Sequence, residues 1–195
     1  MDSVKPALAT LYNSTFKPLF FMLAFLWVLE FIDLVIFGQR LDYWGIRPRS
    51  LEGLRGIVFA PVLHGGFSHL IANTIPFFVL GSFVILRGLR AFLEITAVIW
   101  LIGGVGTWLT GASNSVHIGA SILIFGYLGY LLARAYYERS LNALLIAGLV
   151  GILYGGMIFG ILPIQAGVSW QGHLFGFIGG IVAARLTAIE KHSEV

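Results

Sequence analysis

The chain has 195 residues, 58% hydrophobic and 11% charged, with a mean hydropathy of +0.91 and a formal net charge of +3. That balance excludes intrinsic disorder and leaves too little polar surface to cover a soluble domain; it describes an integral membrane protein. Cysteine is absent, which excludes disulfides and thiolate chemistry, and the twelve Lys and Arg are spread through short segments instead of forming a patch for nucleic acid.

A bilayer crossing takes about 20 apolar residues, and six such runs can be drawn, over residues 18–37, 67–86, 91–109, 119–135, 141–159 and 171–188. They predict an all-α polytopic membrane protein with a six-helix domain at 18–188. A cytoplasmic N-terminal segment at 1–17 and a cytoplasmic C-terminal tail at 189–195 flank it. The first run follows Lys5 and Lys17 without a small-residue cleavage site, so it reads as a retained span and not a signal peptide. Between the first two runs lies a polar stretch, GQRLDYWGIRPRSLEGLRG, followed by IVFAPVLHGG. Its Tyr43 and Trp44 suit it to the membrane surface.

With the N-terminus inside, Lys5, Lys17, Arg87, Arg90, Arg134, Arg139, Arg185 and Lys191 fall on the cytoplasmic side. Arg40, Arg47, Arg49 and Arg55 fall outside, all in the first loop. The excess favours both termini in the cytoplasm. Many of the 25 glycines lie inside the runs. Gly172, Gly176 and Gly180 share a helical face in the sixth, Gly126 and Gly129 lie in the fourth, and Gly148, Gly151, Gly155 and Gly156 lie in the fifth. In lipid, small residues let helix backbones approach, so all three sets predict tight packing.

Polar side chains within spans are costly, which singles out His64, His69, Asn73, Ser121 and His173. The even-numbered runs enter the membrane from the outer side in the inferred topology. His69, Ser121 and His173 each lie two residues after the drawn start of one of them, so at 1.5 Å per residue they share one outer layer. Asn73 lies one turn deeper on the face of His69. A serine, a neutral imidazole to take its proton, and N–H donors for an oxyanion are the parts of acyl transfer. Ser121 near a helix N-terminus adds backbone N–H groups and the positive dipole end. Gly119 and Ala120 keep the turn before it open, and Phe125 shares the face of Ser121, within reach of the ring of His173.

These residues resemble the rhomboid family of intramembrane serine proteases. His64, His69 and Asn73 form H-x4-H-x3-N in HGGFSHLIAN, and Gly119-Ala120-Ser121 open GASILIFG, with Phe125 where the family has an aromatic. His173, Gly176 and Gly180 form H-x2-G-x3-G in HLFGFIGG. The resemblance implies a six-helix rhomboid-like bundle in a cell membrane, a bacterial inner membrane. It implies Ser121 as nucleophile, His173 as general base and later acid, His69 and Asn73 with the Ser121 amide as oxyanion donors, and His64 as a supporting polar group. The implied substrate is a single-span transmembrane protein, cut in or near its helix, with the lipid bilayer as the other partner. No metal, organic cofactor or nucleic acid is implied.

The chain departs from the family in two places. Ile122 stands where the family usually has glycine after the nucleophile, and it would narrow the cleft or alter the oxyanion loop. The Trp-Arg pair common in the first outer loop is replaced by Trp44-Gly45-Ile46-Arg47, so no role is carried to it. Glu30 and Asp33 lie near the outer end of the first span and Glu94 near the inner end of the third. Glu94 lies too deep to orient His173, and the expected role of Glu30 and Asp33 is bonding to backbone or neighbouring helices. Two other readings compete: a rhomboid-like binder of transmembrane helices that cuts nothing, and a small transporter using His64, His69, Asp33 and Glu30 as a proton relay.

Overall fold

The fold was obtained as a computed structural model that describes residues 15–165 and 167–193, the last four in backbone only. Most of the expected N-terminal segment, with Lys5, lies outside the described residues, as do the last two residues of the tail. Among the described residues seven α-helices follow in chain order: α1 Lys17–Ile32, α2 Leu54–Phe59, α3 Phe67–Ile85, α4 Leu89–Thr110, α5 Ser121–Glu138, α6 Leu141–Tyr154 and α7 Trp170–Ser193. A π turn, Asp33–Phe37, lengthens α1, and a 3-10 stretch, Gly155–Ile161, lengthens α6. Among the described residues the one departure from helix and loop is an isolated antiparallel bridge between Ile46 and His117.

With their extensions, α1 and α6 join α3, α4 and α7 as helices long and apolar enough to cross a membrane. The remaining expected span, α5, is the centre of the bundle. Every residue from Ser121 to Leu131 is buried. Protein shields this helix from lipid, so it carries polar groups the others could not. Tyr127 shares a 2.9 Å hydrogen bond with Thr96 of α4, and Arg134 pairs with Glu138 at 2.9 Å, which also meets Arg87. Buried polar groups keep such partners because an unpaired one costs more than the bond gains.

Helices in lipid are held by close packing, not by a hydrophobic drive between them. The glycines of α5 and α7 supply that closeness. A Cβ on Gly176 would strike the Ile122 carbonyl, one on Gly180 the Gly126 carbonyl, and one on Gly126 the side chain of Ile99 in α4. The fifth expected span behaves differently. Cβ atoms on Gly148, Gly155 or Gly156 would meet nothing within 4 Å, so tight packing does not account for these glycines. They sit on a peripheral helix whose buried residues are Ala143 and Val150.

The 38–66 stretch lies along the C-terminal half of α4, fastened by indole donors. Trp100 Nε1 donates to the Ile57 carbonyl at 2.6 Å and Trp108 Nε1 to that of Ser50 at 2.9 Å. Tyr43 and Trp44 stay exposed, with the Arg55 guanidinium 4.7 Å over the Trp44 ring. This arrangement suits the headgroup region.

Candidate active site

The N-termini of α3, α5 and α7 meet around one cavity of about 1030 Å³ whose wall includes His69, Asn73, Ser121, Phe125 and His173. The meeting follows from the glycine contacts. Because Gly176 and Gly180 let α7 lie on the backbone of α5, the first turn of one helix faces the first turn of the other. Ser121 is the first residue of α5, two positions earlier in its helix than the drawn span suggests, and His173 is the fourth of α7.

The ring of His173 is fixed on two sides. Phe125, one turn below Ser121, stacks on it with centroids 4.0 Å apart and planes 7° from parallel. Its Nδ1 lies 2.9 Å from the Gly160 carbonyl, which can only accept. The proton therefore sits on Nδ1, and Nε2 keeps a free lone pair. A backbone carbonyl, not a carboxylate, orients the imidazole. No hydrogen bond joins Ser121 to His173 among the described residues; the two share the cavity wall.

His69 has the opposite tautomer. The Gly65 N–H donates to its Nδ1 at 3.4 Å, so Nε2 carries the proton. That N–H faces the nucleophile turn: a Cβ on Gly119 would lie 2.8 Å from His69 Nε2 and 3.6 Å from Ser121 Oγ. Gly119 has φ +118°, a conformation that favours glycine, and its absent side chain leaves His69 open to the cavity. The Asn73 amide nitrogen is buried and has no hydrogen-bond partner. Asn73 lines the cavity, and this donor has nothing to donate to among the described residues.

His64 stands behind this front. It is 1% exposed, and its Nε2 accepts the Ala120 N–H at 3.3 Å, holding the turn into α5 from below. Burial and then the neighbouring His69 ring push His64 down to about 3, which keeps it the neutral acceptor this bond needs. Ile122, by contrast, does not reach the cavity. It lies in a small second core with Ile46, Ala60 and Trp108, its side chain directed at Gly103 and Gly172. The expectation that it narrows the cleft is corrected: one step around the helix from Ser121, it points away from it.

Glu30 and Asp33 are buried at the C-terminal end of α1 and its π turn, where Asp33 Oδ1 accepts the Leu41 N–H at 3.0 Å and Glu30 faces the Gly66 backbone. Their partners belong to the first loop and the start of α3, not to His173. Glu94 pairs with Arg90 at 2.8 Å. Three further groups at the cavity escape the sequence reading: His117, Ser115 and Ser169, which form a hydrogen-bonded chain along its wall. Their signal in the sequence is slight, a histidine four residues before Ser121 and a serine four before His173.

Comparison with known proteins agrees with this architecture. The profile of the Rhomboid domain matches residues 52–189. The uncharacterized Mycobacterium tuberculosis protein Rv1337 is 47% identical over 171 residues, covering 84% of this chain and 71% of that one. Its Mycobacterium leprae counterpart ML1171 is 45% identical over 172 residues, 84% and 68% of the two chains. A Bacillus subtilis protein, named "Putative rhomboid protease YdcA", is 30% identical over 138 residues, 67% and 65% of the two chains.

Proposed function

The chain belongs to the rhomboid family, and from that premise we propose that it is an intramembrane serine endopeptidase working through Ser121 and His173. The observation that carries the reading is the pair of opposed tautomers on one cavity. His173 presents a lone pair, while His69 presents an N–H beside the serine turn. One imidazole is ready to take a proton and the other to give a hydrogen bond.

In the proposed reaction, Ser121 Oγ attacks the scissile carbonyl as His173 Nε2 takes its proton. The oxyanion then accepts from the Ser121 N–H, His69 Nε2 and Asn73 Nδ2. The intermediate collapses as the His173 imidazolium gives its proton to the leaving amine, which leaves an acyl-enzyme. Water, deprotonated by the same Nε2, attacks the ester and returns Ser121. The Gly160 carbonyl bonds Nδ1–H throughout and so supports the imidazolium that forms. The substrate is a single-span membrane protein whose helix unwinds at the cut, since a helical carbonyl is already hydrogen-bonded. The excess of inner Lys and Arg supports both termini in the cytoplasm, and 18–188 is the catalytic unit.

The test is covalent labelling by a fluorophosphonate, with cleavage of a single-span reporter in proteoliposomes. Both should occur in the wild type and vanish in Ser121→Ala and His173→Ala variants that keep their helical content. A folded wild type that neither labels nor cuts any reporter would instead mark a helix-binding member of the family and overturn the proposal.

A further inference from the structure

Building on the proposed Ser121–His173 reaction, we propose that His117 is a positioning residue, which holds the segment leading to Ser121 against the segment leading to His173 through a hydrogen bond to Ser169. The imidazole is 6% exposed and bonded at both nitrogens: Nε2 lies 2.8 Å from Ser115 Oγ and Nδ1 lies 2.6 Å from Ser169 Oγ.

The direction of each bond follows from the next partner along. Ser115 Oγ spends its proton on the Ala112 carbonyl, 2.6 Å away, so it must accept from His117 Nε2–H. Nδ1 is then the bare nitrogen and accepts from Ser169 Oγ–H. Burial lowers the pKa of His117, which favours the neutral form that this chain of donors requires.

Its location gives the bond its meaning. His117 is four residues before Ser121, and Ser169 is four before His173, so the contact joins the segments that lead to the two proposed catalytic side chains. On one side the His117 main chain is pinned to Ile46 by two 2.9 Å bonds, and the following Gly119 N–H is held by the Ala60 carbonyl at 2.8 Å. On the other, the Ser169 carbonyl accepts the His173 N–H at 3.0 Å, in the first turn of α7. Two glycines make the room. A Cβ on Gly111 would lie 2.7 Å from His117 Nε2, and one on Gly172 would lie 2.8 Å from Ser169 Oγ.

Asparagine and glutamine separate the two bonds. The amide of His117→Asn reaches the place of Nδ1 and can accept from Ser169, whereas that of His117→Gln reaches the place of Nε2 and serves Ser115. His117→Phe keeps the ring and neither bond. Misplacing reacting groups by ~1 Å costs on the order of 10²-fold. His117→Phe, His117→Gln and Ser169→Ala should therefore each lower kcat by about 10- to 100-fold, with KM for a single-span reporter changed less than about twofold. His117→Asn should recover most of the rate, and the Phe/Ala double variant should be no slower than either single one.

Fluorophosphonate labelling of Ser121 follows the same order and separates the two ideas. A wild type that does not label overturns the Ser121 reading and this inference with it. A wild type that labels, beside Ser169→Ala that labels and cuts at the same rate, overturns the positioning role alone. Ser169→Ala removes a single oxygen from a loop, so it keeps the test open even where a His117 variant fails to fold.

Discussion

Replacing Asn73 by alanine should slow the proposed hydrolysis without weakening the fold. Asn73 lines the cavity, and its buried amide nitrogen has no hydrogen-bond partner among the described residues. Burying an unpaired donor costs about 1–3 kcal/mol, so as a structural residue Asn73 is a liability. As an oxyanion donor it is worth about 10²–10³ in kcat, or ~2.7–4 kcal/mol. The Ser121 N–H and His69 Nε2–H would still face the oxyanion in the variant, which sets the expected loss at the lower end, about 10²-fold. Truncation opens onto an existing cavity instead of creating a sealed void, so no cavity penalty arises. Unfolding free energy should be unchanged or higher by up to about 2 kcal/mol. Reporter cleavage in proteoliposomes gives kcat, and unfolding followed by helical circular dichroism gives stability. A kcat within about threefold of wild type would refute the reasoning. So would a stability loss above about 1 kcal/mol, which would mean the amide has a structural partner.

Two other perturbations follow from particular contacts. Gly103→Ala should destabilise by about 1–3 kcal/mol because its Cβ strikes Ile122 Cγ2, and Ile122→Ala should relieve part of that cost. Strict additivity in thermal unfolding of the single and double variants would show that the two side chains do not meet. Asp42, outside the spans, has its carboxyl raised from 3.8 to about 7 by burial and then by Asp33 and Glu30. The native state therefore holds a proton that the unfolded chain releases, so stability should fall as pH rises from about 4 to about 7. Asp42→Asn should flatten that slope in a pH series of melting temperatures, and an unchanged slope would assign the effect elsewhere.

Much of the bundle is legible in the sequence because lipid imposes length: five helices begin and end within a few residues of the apolar runs. The depth of Ser121, His69 and His173 is equally legible, since a helix register converts residue number into position. What escapes is lateral. Nothing in one run of residues says that α5 is the centre, because that depends on which neighbours cover it. The carbonyl that orients His173 belongs to Gly160, and every residue has a carbonyl, so side-chain chemistry offers no mark of it. The His117–Ser169 bond joins loops 52 residues apart, which short-range spacing does not bring together. Ile122 was open to a better reading, for a 100° step around a helix already turns it off the face of Ser121.

The order of burial across the bundle has a mechanical consequence. The two most apolar spans, α1 and α6 with their extensions, are also the least covered by protein, with 22% and 6% of their windows buried. The helix that carries Ser121 meets almost only its neighbours. Hydrophobicity thus serves as a radial coordinate, highest at the rim and lowest on the axis. A change in bilayer thickness or in the stiffness of lipid chains presses first on the rim helices. It reaches Ser121 through the helices packed around α5. The rim yields to the membrane, and the seam of α5 and α7 keeps the chemistry in register.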